Sequence, residues 1–311
     1  MPVILISGGT GLVGKHLSKM LTEKGYEVII LTRKLPDEKV VSDKISYALW
    51  DIEEQFLDTG AIQKADYIIH LAGAGFAEKK WTADRKKEIK DSRIQSSVLL
   101  LKSLQTIPNK IKAVISASAT GWYGQNNADT YIHGFIEDDP ACNDFTGETC
   151  RLWEESILPV TELGKRLVRL RIGIVLSKDG GALSAFMKPL QYGIAAILGS
   201  GNQTMSWIHI DDLCRLFVYA IEHEELSGVY NAVAPHSVNN KQLVLLLART
   251  MRGKFYISVF VPSFVLRLLL GEMSGGILKS IRVCSHKVKH AGFTFLYPEL
   301  KQALQQLFNV E

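Results

Sequence analysis

Gly8-Gly9-Thr10-Gly11-Leu12-Val13-Gly14 puts four glycines into seven positions, directly after an apolar run. Glycine permits a tight turn and lets the backbone reach a pyrophosphate with no Cβ in the way. A helix starting there adds free N–H groups and a dipole that favour an anion. Gly8, Thr10, Gly11, Leu12, Val13 and Gly14 are therefore expected to hold the diphosphate of a dinucleotide. Next comes Leu31-Thr32-Arg33-Lys34, with no acid before Asp37. A carboxylate at that point would bind adenosine ribose hydroxyls, whereas an Arg accommodates a 2′-phosphate. Thr32 and Arg33 in that place predict NADP(H). The alternative is that Arg33 and Lys34 are solvated loop charges.

Proton chemistry has fewer candidates. His209, in Ser206-Trp207-Ile208-His209-Ile210-Asp211-Asp212, would titrate near neutral pH with Asp211 or Asp212 to orient it. Asp211 also suits the N-cap of a following helix, and His209 would then be a hydrogen-bonded strand residue. Tyr123 lies in a Gly121-Trp122-Tyr123-Gly124 turn, where a phenol either exchanges a proton or packs. Arg171, at a strand end, needs an anionic partner: a ligand, or a carboxylate of the chain. Cys142, Cys150, Cys214 and Cys284 form no C-x-x-C pair and have no companion His at zinc-ligand spacing. No metal site is expected, and the thiols read as reduced and mostly buried.

These groups need a scaffold, and the hydrophobic pattern supplies one. Val3–Ser7, Glu27–Thr32, Tyr67–Leu71, Ala113–Ser116 and Leu167–Ile172 read as strands buried on both faces. Helical spacing is found from Leu12 to Leu21, from Trp81 to Leu104 and from Glu148 to Leu158. The alternation predicts an α/β fold with a doubly wound, Rossmann-type parallel sheet. Beyond Ser177 strand-like pieces shorten, and helices are expected at 211–222, 240–251, 263–270 and 298–307. The division expected is a dinucleotide-binding domain over 1–176, whose sheet can receive later strands, and a smaller C-terminal α/β substrate or cap lobe over 177–311. Trp122, Met205 and Trp207 are candidate apolar walls of the cleft between them. The nearly apolar run 261–270 packs against the sheet domain or forms a partner surface.

The glycine turn, His70-Leu71-Ala72-Gly73-Ala74 and Ser116-Ala117-Ser118-Ala119 together resemble the extended short-chain dehydrogenase/reductase superfamily. More closely, the chain looks like its atypical NADP-binding "epimerase family" branch, sometimes labelled nucleoside-diphosphate-sugar epimerases. The stretches Trp81-Thr82, Gly121-Trp122-Tyr123-Gly124, Trp207-Ile208-His209-Ile210-Asp211-Asp212, Tyr230-Asn231-Ala232 and Tyr297-Pro298-Glu299-Leu300 extend the likeness over nearly the whole chain. The resemblance implies that Thr32 and Arg33 hold the 2′-phosphate end and that Leu71, Ala72 and Gly73 pack along the adenosine half. It also implies that Glu88 and Arg93 turn toward the cofactor, and that Ser116 and Ala117 lie beneath the nicotinamide ribose.

Active members of that superfamily carry a Tyr and a Lys four residues apart, together with a Ser or Thr. Ser118 or Thr120 fits the hydroxyl position. Around Asp144-Phe145-Thr146-Gly147-Glu148-Thr149-Cys150, however, neither Tyr nor Lys occurs. Phe145 or Thr146 takes the Tyr place, and Thr149 or Cys150 the Lys place. Phe cannot exchange a proton, and neither Thr nor Cys brings a cation to lower a neighbour's pKa. Standard sugar epimerisation is not expected. Hydride transfer needs only positioning, so the expected function is an NADP(H)-dependent oxidoreductase or isomerase acting on an unknown small molecule. Ser118, Tyr123 and His209 are its catalytic candidates. The alternative is a catalytically silent NADP(H) sensor or scaffold.

Composition excludes several other classes. The chain has 311 residues, 47% hydrophobic and 22% charged, which rules out disorder. A net charge of +4, from 36 basic and 32 acidic residues that are interspersed, gives no footing for nucleic acid. The start of the chain reads as a strand rather than a signal peptide, and Phe260–Leu270 is interrupted by Pro262 and Arg267 and falls short of a bilayer span. A cytoplasmic protein with no membrane partner, monomeric or homodimeric, is expected.

Overall fold

The computed structural model of the chain describes residues 1–36, 44–76 and 78–310. The main sheet takes β1 (Val3–Ser7), β2 (Glu27–Thr32), β3 (Ile45–Asp51), β4 (Phe56–Leu57), β5 (Tyr67–His70), β6 (Ala113–Ala119), β7 (Arg166–Ile172) and the strand Gly228–Ala232. Across the sheet the order is Gly228–Ala232, β7, β6, β5, β1, β2, β3, β4. All neighbours are parallel except β3 and β4. Ile4, Leu5, Ile6, Ile68 and Ile69 are sealed on both faces, the burial that their continuous apolar runs predict.

Successive strands run outward in one direction from β1 to β2 and in the other from β5 to β7, so the order reverses between β1 and β5. The crevice at that reversal, beyond the carboxyl ends of the strands, is where doubly wound sheets place ligands. The helices α1 (Leu12–Glu23), α2 (Thr59–Lys64), α3 (Ala83–Thr106), α4 (Ala128–His133) and α5 (Phe145–Ile157) follow the strands. One face of the sheet and the C-terminal residues share a single core, from Ile4 and Leu17 through Phe217 and Leu247 to Leu304. The other face packs Leu5, Ile68 and Val114 against Leu100 of α3 and Ile157 of α5. Among the described residues three two-stranded sheets lie outside the main sheet, one of them Ile194–Leu198 paired in parallel with Ile257–Val261.

The sequence pattern misses three strands of the main sheet: β3, the two-residue β4 and Gly228–Ala232. β3 alternates between half-exposed and buried residues near the sheet edge, and Asn231 breaks the apolar run of Gly228–Ala232. The latter pairs with β7, so the sheet is completed by residues beyond 176. β6 runs to Ala119, beyond the expected end at Ser116, which places Ala117 and Ser118 within the strand rather than after it. His209, not Asp211, caps the helix Ile210–Glu222. Trp207 is fully buried and donates from Nε1 to the His236 carbonyl at 2.9 Å, so it is core rather than cleft wall.

Candidate functional site

The crevice is built by the turn that leaves β1. Gly8 sits at φ +72°, and the Gly11 N–H returns to the Gly8 carbonyl at 3.1 Å. A Cβ on Gly8 would stand 2.9 Å from the carbonyl carbon of Leu71, and one on Gly14 2.4 Å from the Gly8 oxygen. Both glycines are therefore fixed by contact: α1 begins pressed onto the turn, and the turn is pressed onto the end of β5. Gly11 occupies the N-cap with no side-chain hydrogen bond, which leaves the first N–H groups of α1 for a ligand. Thr10 and Gly11 are exposed, Leu12 and Val13 half-buried.

The opposite wall is Leu71-Ala72-Gly73, and a buried histidine that sequence reasoning gave no role fixes it. Ser7 lies beside His70 in the β1–β5 register. Ser7 Oγ is 2.6 Å from His70 Nδ1, while His70 Nε2 is 3.1 Å from Ser97 Oγ. The Ala72 N–H donates to Ser7 Oγ at 3.4 Å, and Ser97 Oγ donates to the Arg93 carbonyl at 2.9 Å. One orientation satisfies every group: Ala72 to Ser7 to His70 Nδ1, then His70 Nε2–H to Ser97 to Arg93. The imidazole is neutral in this chain, and burial lowers its pKa to about 3, aided by the Arg93 charge.

The sign of the resulting pH effect follows directly. The folded state refuses a proton that an unfolded His70 takes up near its ordinary 6.5, so stability declines as pH falls from about 6.5 toward 3. Urea unfolding should show a loss of roughly 1.4 kcal/mol per pH unit from this residue. His70→Asn should flatten that slope; an unchanged slope would contradict the assignment.

At the end of β2, Thr32 Oγ1 donates to the Lys34 carbonyl at 2.8 Å and shapes the turn, while Arg33 is exposed. Asp37 lies outside the described residues. Glu88 points to solvent and accepts from Arg85 Nη1 at 2.7 Å; that hydrogen bond holds its carboxyl below the usual range. Arg93 is buried beneath Gly73, whose Cβ would lie 3.0 Å from the guanidinium carbon. Phe76 and Trp153 lie 4.3 and 5.0 Å from that carbon, measured to their ring centroids. Burial lowers the Arg93 pKa to about 10, so it remains a cation at neutral pH, and its Nε has no partner among the described residues.

The three proton candidates do not converge on one opening. Ser118 is buried and donates to Glu154 Oε1 at 2.7 Å. Glu154 is itself buried and gripped bidentately by Arg171, through Nε at 2.8 Å and Nη2 at 3.1 Å, with Arg169 at 3.4 Å. The anionic partner required by Arg171 is therefore a carboxylate of the chain. Tyr123 has no exposed surface; it donates to Asn231 Oδ1 at 2.7 Å and accepts from Arg171 Nη1 at 3.0 Å. Burial pushes its pKa up, and its ring stacks on Phe135, so the phenol is structural. His209 is likewise sealed: Nδ1 accepts the Asp211 N–H at 3.1 Å and the ring packs 4.1 Å from Tyr297. Burial lowers its pKa, which suits a neutral helix cap. Ser116 is also buried and donates to the Ala117 carbonyl.

At the start of α5 two side chains approach the turn that follows β6. A Cβ on Gly121, in the turn after β6, would meet Thr146 Cβ at 3.3 Å and Cys150 Sγ at 3.5 Å. Thr146 and Cys150 are thus the residues four apart that face this turn. Thr146 Oγ1 donates to Asp144 Oδ1 at 2.7 Å, and burial pushes the Cys150 thiol up to about 12, so it stays protonated. Phe145 instead joins Phe76 and Trp81 in an aromatic wall. Glu272 and Lys279 flank the helix Met273–Leu278 and tie it over this wall by ion pairs to Lys86 and Asp144.

Comparison with known proteins gives a consistent setting. The sequence pattern of the NAD-dependent epimerase/dehydratase family matches residues 4–145 and 175–232, and a domain of unknown function, DUF1731, matches 261–307. An epimerase family protein of Staphylococcus saprophyticus is 37% identical over 303 residues, 97% of this chain and 98% of that one. The human epimerase family protein SDR39U1, solved with NADPH, superposes with a TM-score of 0.84 at 26% identity, covering 99% of both chains. A nucleoside-diphosphate sugar epimerase from Corynebacterium glutamicum superposes at 0.77 and 29% identity, over 100% of this chain and 59% of that one. No helix among the described residues is long and apolar enough to cross a membrane.

Proposed function

The chain belongs to the NAD-dependent epimerase/dehydratase family, and from that premise we propose that it binds NADP(H) and acts as an oxidoreductase or isomerase on a small molecule. The observation that carries this reading is the cradle itself. A Cβ at Gly8 or Gly14 would push β5 or α1 off the turn that shapes it, uncapped N–H groups line it, and the exposed guanidinium of Arg33 follows the strand that would pass the adenosine ribose. These features fit a dinucleotide with a 2′-phosphate. Gly8, Thr10, Gly11, Leu12, Val13 and Gly14 would hold the diphosphate, and Thr32 and Arg33 the 2′-phosphate end. Leu71, Ala72 and Gly73 would form the adenosine wall with Arg93 beneath it, Glu88 would stand at the rim, and Ser116 and Ala117 would support the nicotinamide ribose. The nicotinamide, when bound, supplies the hydride donor or acceptor.

Of the catalytic candidates, Ser118 alone keeps a role in this reading. Its proton is given to Glu154, so its free lone pair is left to accept from a substrate hydroxyl. A second reading, a silent NADP(H) sensor, is favoured by the inward bonding of Tyr123 and His209. Turnover of NADP⁺ with a panel of alcohols separates the two: reduction of the cofactor lost in Ser118→Ala with cofactor binding intact supports the enzyme, and tight binding without reduction supports the sensor. Arg33→Ala should weaken NADPH binding by about 10–100-fold, the loss of a charge-assisted phosphate contact, and leave NADH binding unaltered. Equal losses for both cofactors would refute the role given to Arg33.

A further inference from the structure

The strand Ile257–Val261 has one neighbour in its sheet, Ile194–Leu198, and its other edge carries no strand among the described residues. The Ile257 N–H donates to Gly193 and the Val261 carbonyl accepts from Gly199, so residues 257, 259 and 261 spend their backbone groups on that neighbour. In a parallel ladder the intervening residues face the other way. Ser258 and Phe260 therefore turn their N–H and C=O groups to the open edge. Natural proteins protect such edges with charges, prolines or bulges. Ile257-Ser258-Val259-Phe260-Val261 has no charge and no proline.

The surroundings are apolar as well. Phe255 is 86% exposed, Leu268 79%, Ile257 and Phe264 72%, Phe260 50% and Val259 44%. With large aromatic side chains covering roughly 150–250 Å² each when fully buried and the aliphatic ones less, these six together expose on the order of 700 Å². That area is divided between the two faces of the strand: Ile257 and Val259 lie on one, and Phe260, with Lys241 Nζ 5.9 Å from its ring centroid, on the other. A monomer's largest apolar patch is about 300–600 Å², and a standard interface needs about 800 Å² per partner.

We propose that the edge Ile257–Val261 pairs with the same edge of a second copy of this chain, forming a two-fold dimer through a continuous four-stranded sheet. Antiparallel pairing about Val259 sets Ser258 opposite Phe260 of the other copy and Phe260 opposite its Ser258, so all four outward-facing residues exchange backbone hydrogen bonds. A two-fold interface requires this self-complementarity. A lipid surface could cover the side chains but would leave those N–H and C=O groups unpaired.

Sedimentation of the full chain over a range of concentrations tests this. The expected result is a species of twice the chain mass. Ser258→Pro removes only an outward-facing N–H, and Phe260→Lys places a charge at the edge; each should weaken the dimer at least about tenfold. Circular dichroism and the unfolding midpoint should show both variants folded. If Ser258→Pro fails that check, Phe260→Lys decides. A monomer at all concentrations would overturn the proposal. So would a dimer indifferent to the folded variants, or sedimentation only with phosphatidylglycerol vesicles.

Discussion

Gly14→Ala is expected to abolish NADP(H) binding and to destabilise the fold. The new Cβ would stand 2.4 Å from the Gly8 carbonyl oxygen and 2.5 Å from Gly9 Cα, both backbone atoms that no rotamer change can move aside. Relief requires α1 to back away from the turn, and that movement carries off the N–H groups that would face the diphosphate. Overpacking of a rigid contact costs about 1–3 kcal/mol in stability. Loss of the anion contacts should weaken cofactor binding by more than about 100-fold. Calorimetric titration with NADPH and urea unfolding read the two effects separately. Gly25→Ala, where a Cβ meets nothing within 4 Å though the backbone is at φ +94°, serves as a control that should cost stability without touching affinity. Retained NADPH affinity in Gly14→Ala would refute the cradle.

Glu154→Ala should produce the largest loss of stability. Its carboxylate is buried, accepts from Ser118, and neutralises Arg171, which is buried as well, with Arg169 at its edge. Arg171 also stacks 3.6 Å from the Trp122 ring centroid and reaches Tyr123 and the Glu137 carbonyl, so it cannot swing out to water. Removing the anion strands a buried cation, a change that costs about 3–5 kcal/mol. Arg171→Met combined with Glu154→Ala should recover a large part of that, because no charge is then left uncompensated. A single-variant loss below about 1 kcal/mol would show that the pair carries little.

Much of the sheet was legible because strands buried on both faces are written as unbroken apolar runs, and the glycine spacing of the β1–α1 turn is dictated by backbone contacts at Gly8 and Gly14. β3 and Gly228–Ala232 were not, since an edge position and the buried Asn231 blur that signature. Asn231 is placed there by distant partners: its side chain receives the Tyr123 hydroxyl, and its N–H donates to Glu137. Long-range pairing of this kind also explains Tyr123, whose hydroxyl is taken by Asn231 and Arg171. His209 is held locally instead: Nδ1 accepts the Asp211 N–H of its own helix cap, and Nε2 is buried with no partner among the described residues. His70 is the converse case. Its neighbours Ser7 and Ser97 are 63 and 27 residues away, so no local spacing marks it. The absence of a Tyr/Lys pair was visible in the sequence, and the structure adds that Thr146 and Cys150 face the corresponding turn.

Paired titration of NADPH and NADH against the unaltered protein tests the central reading most directly. With Arg33 exposed at the end of β2 and no acid between Thr32 and Pro36, NADPH should bind at least about tenfold more tightly, and increasing salt should narrow the gap. Equal affinity, or a preference for NADH, would contradict it.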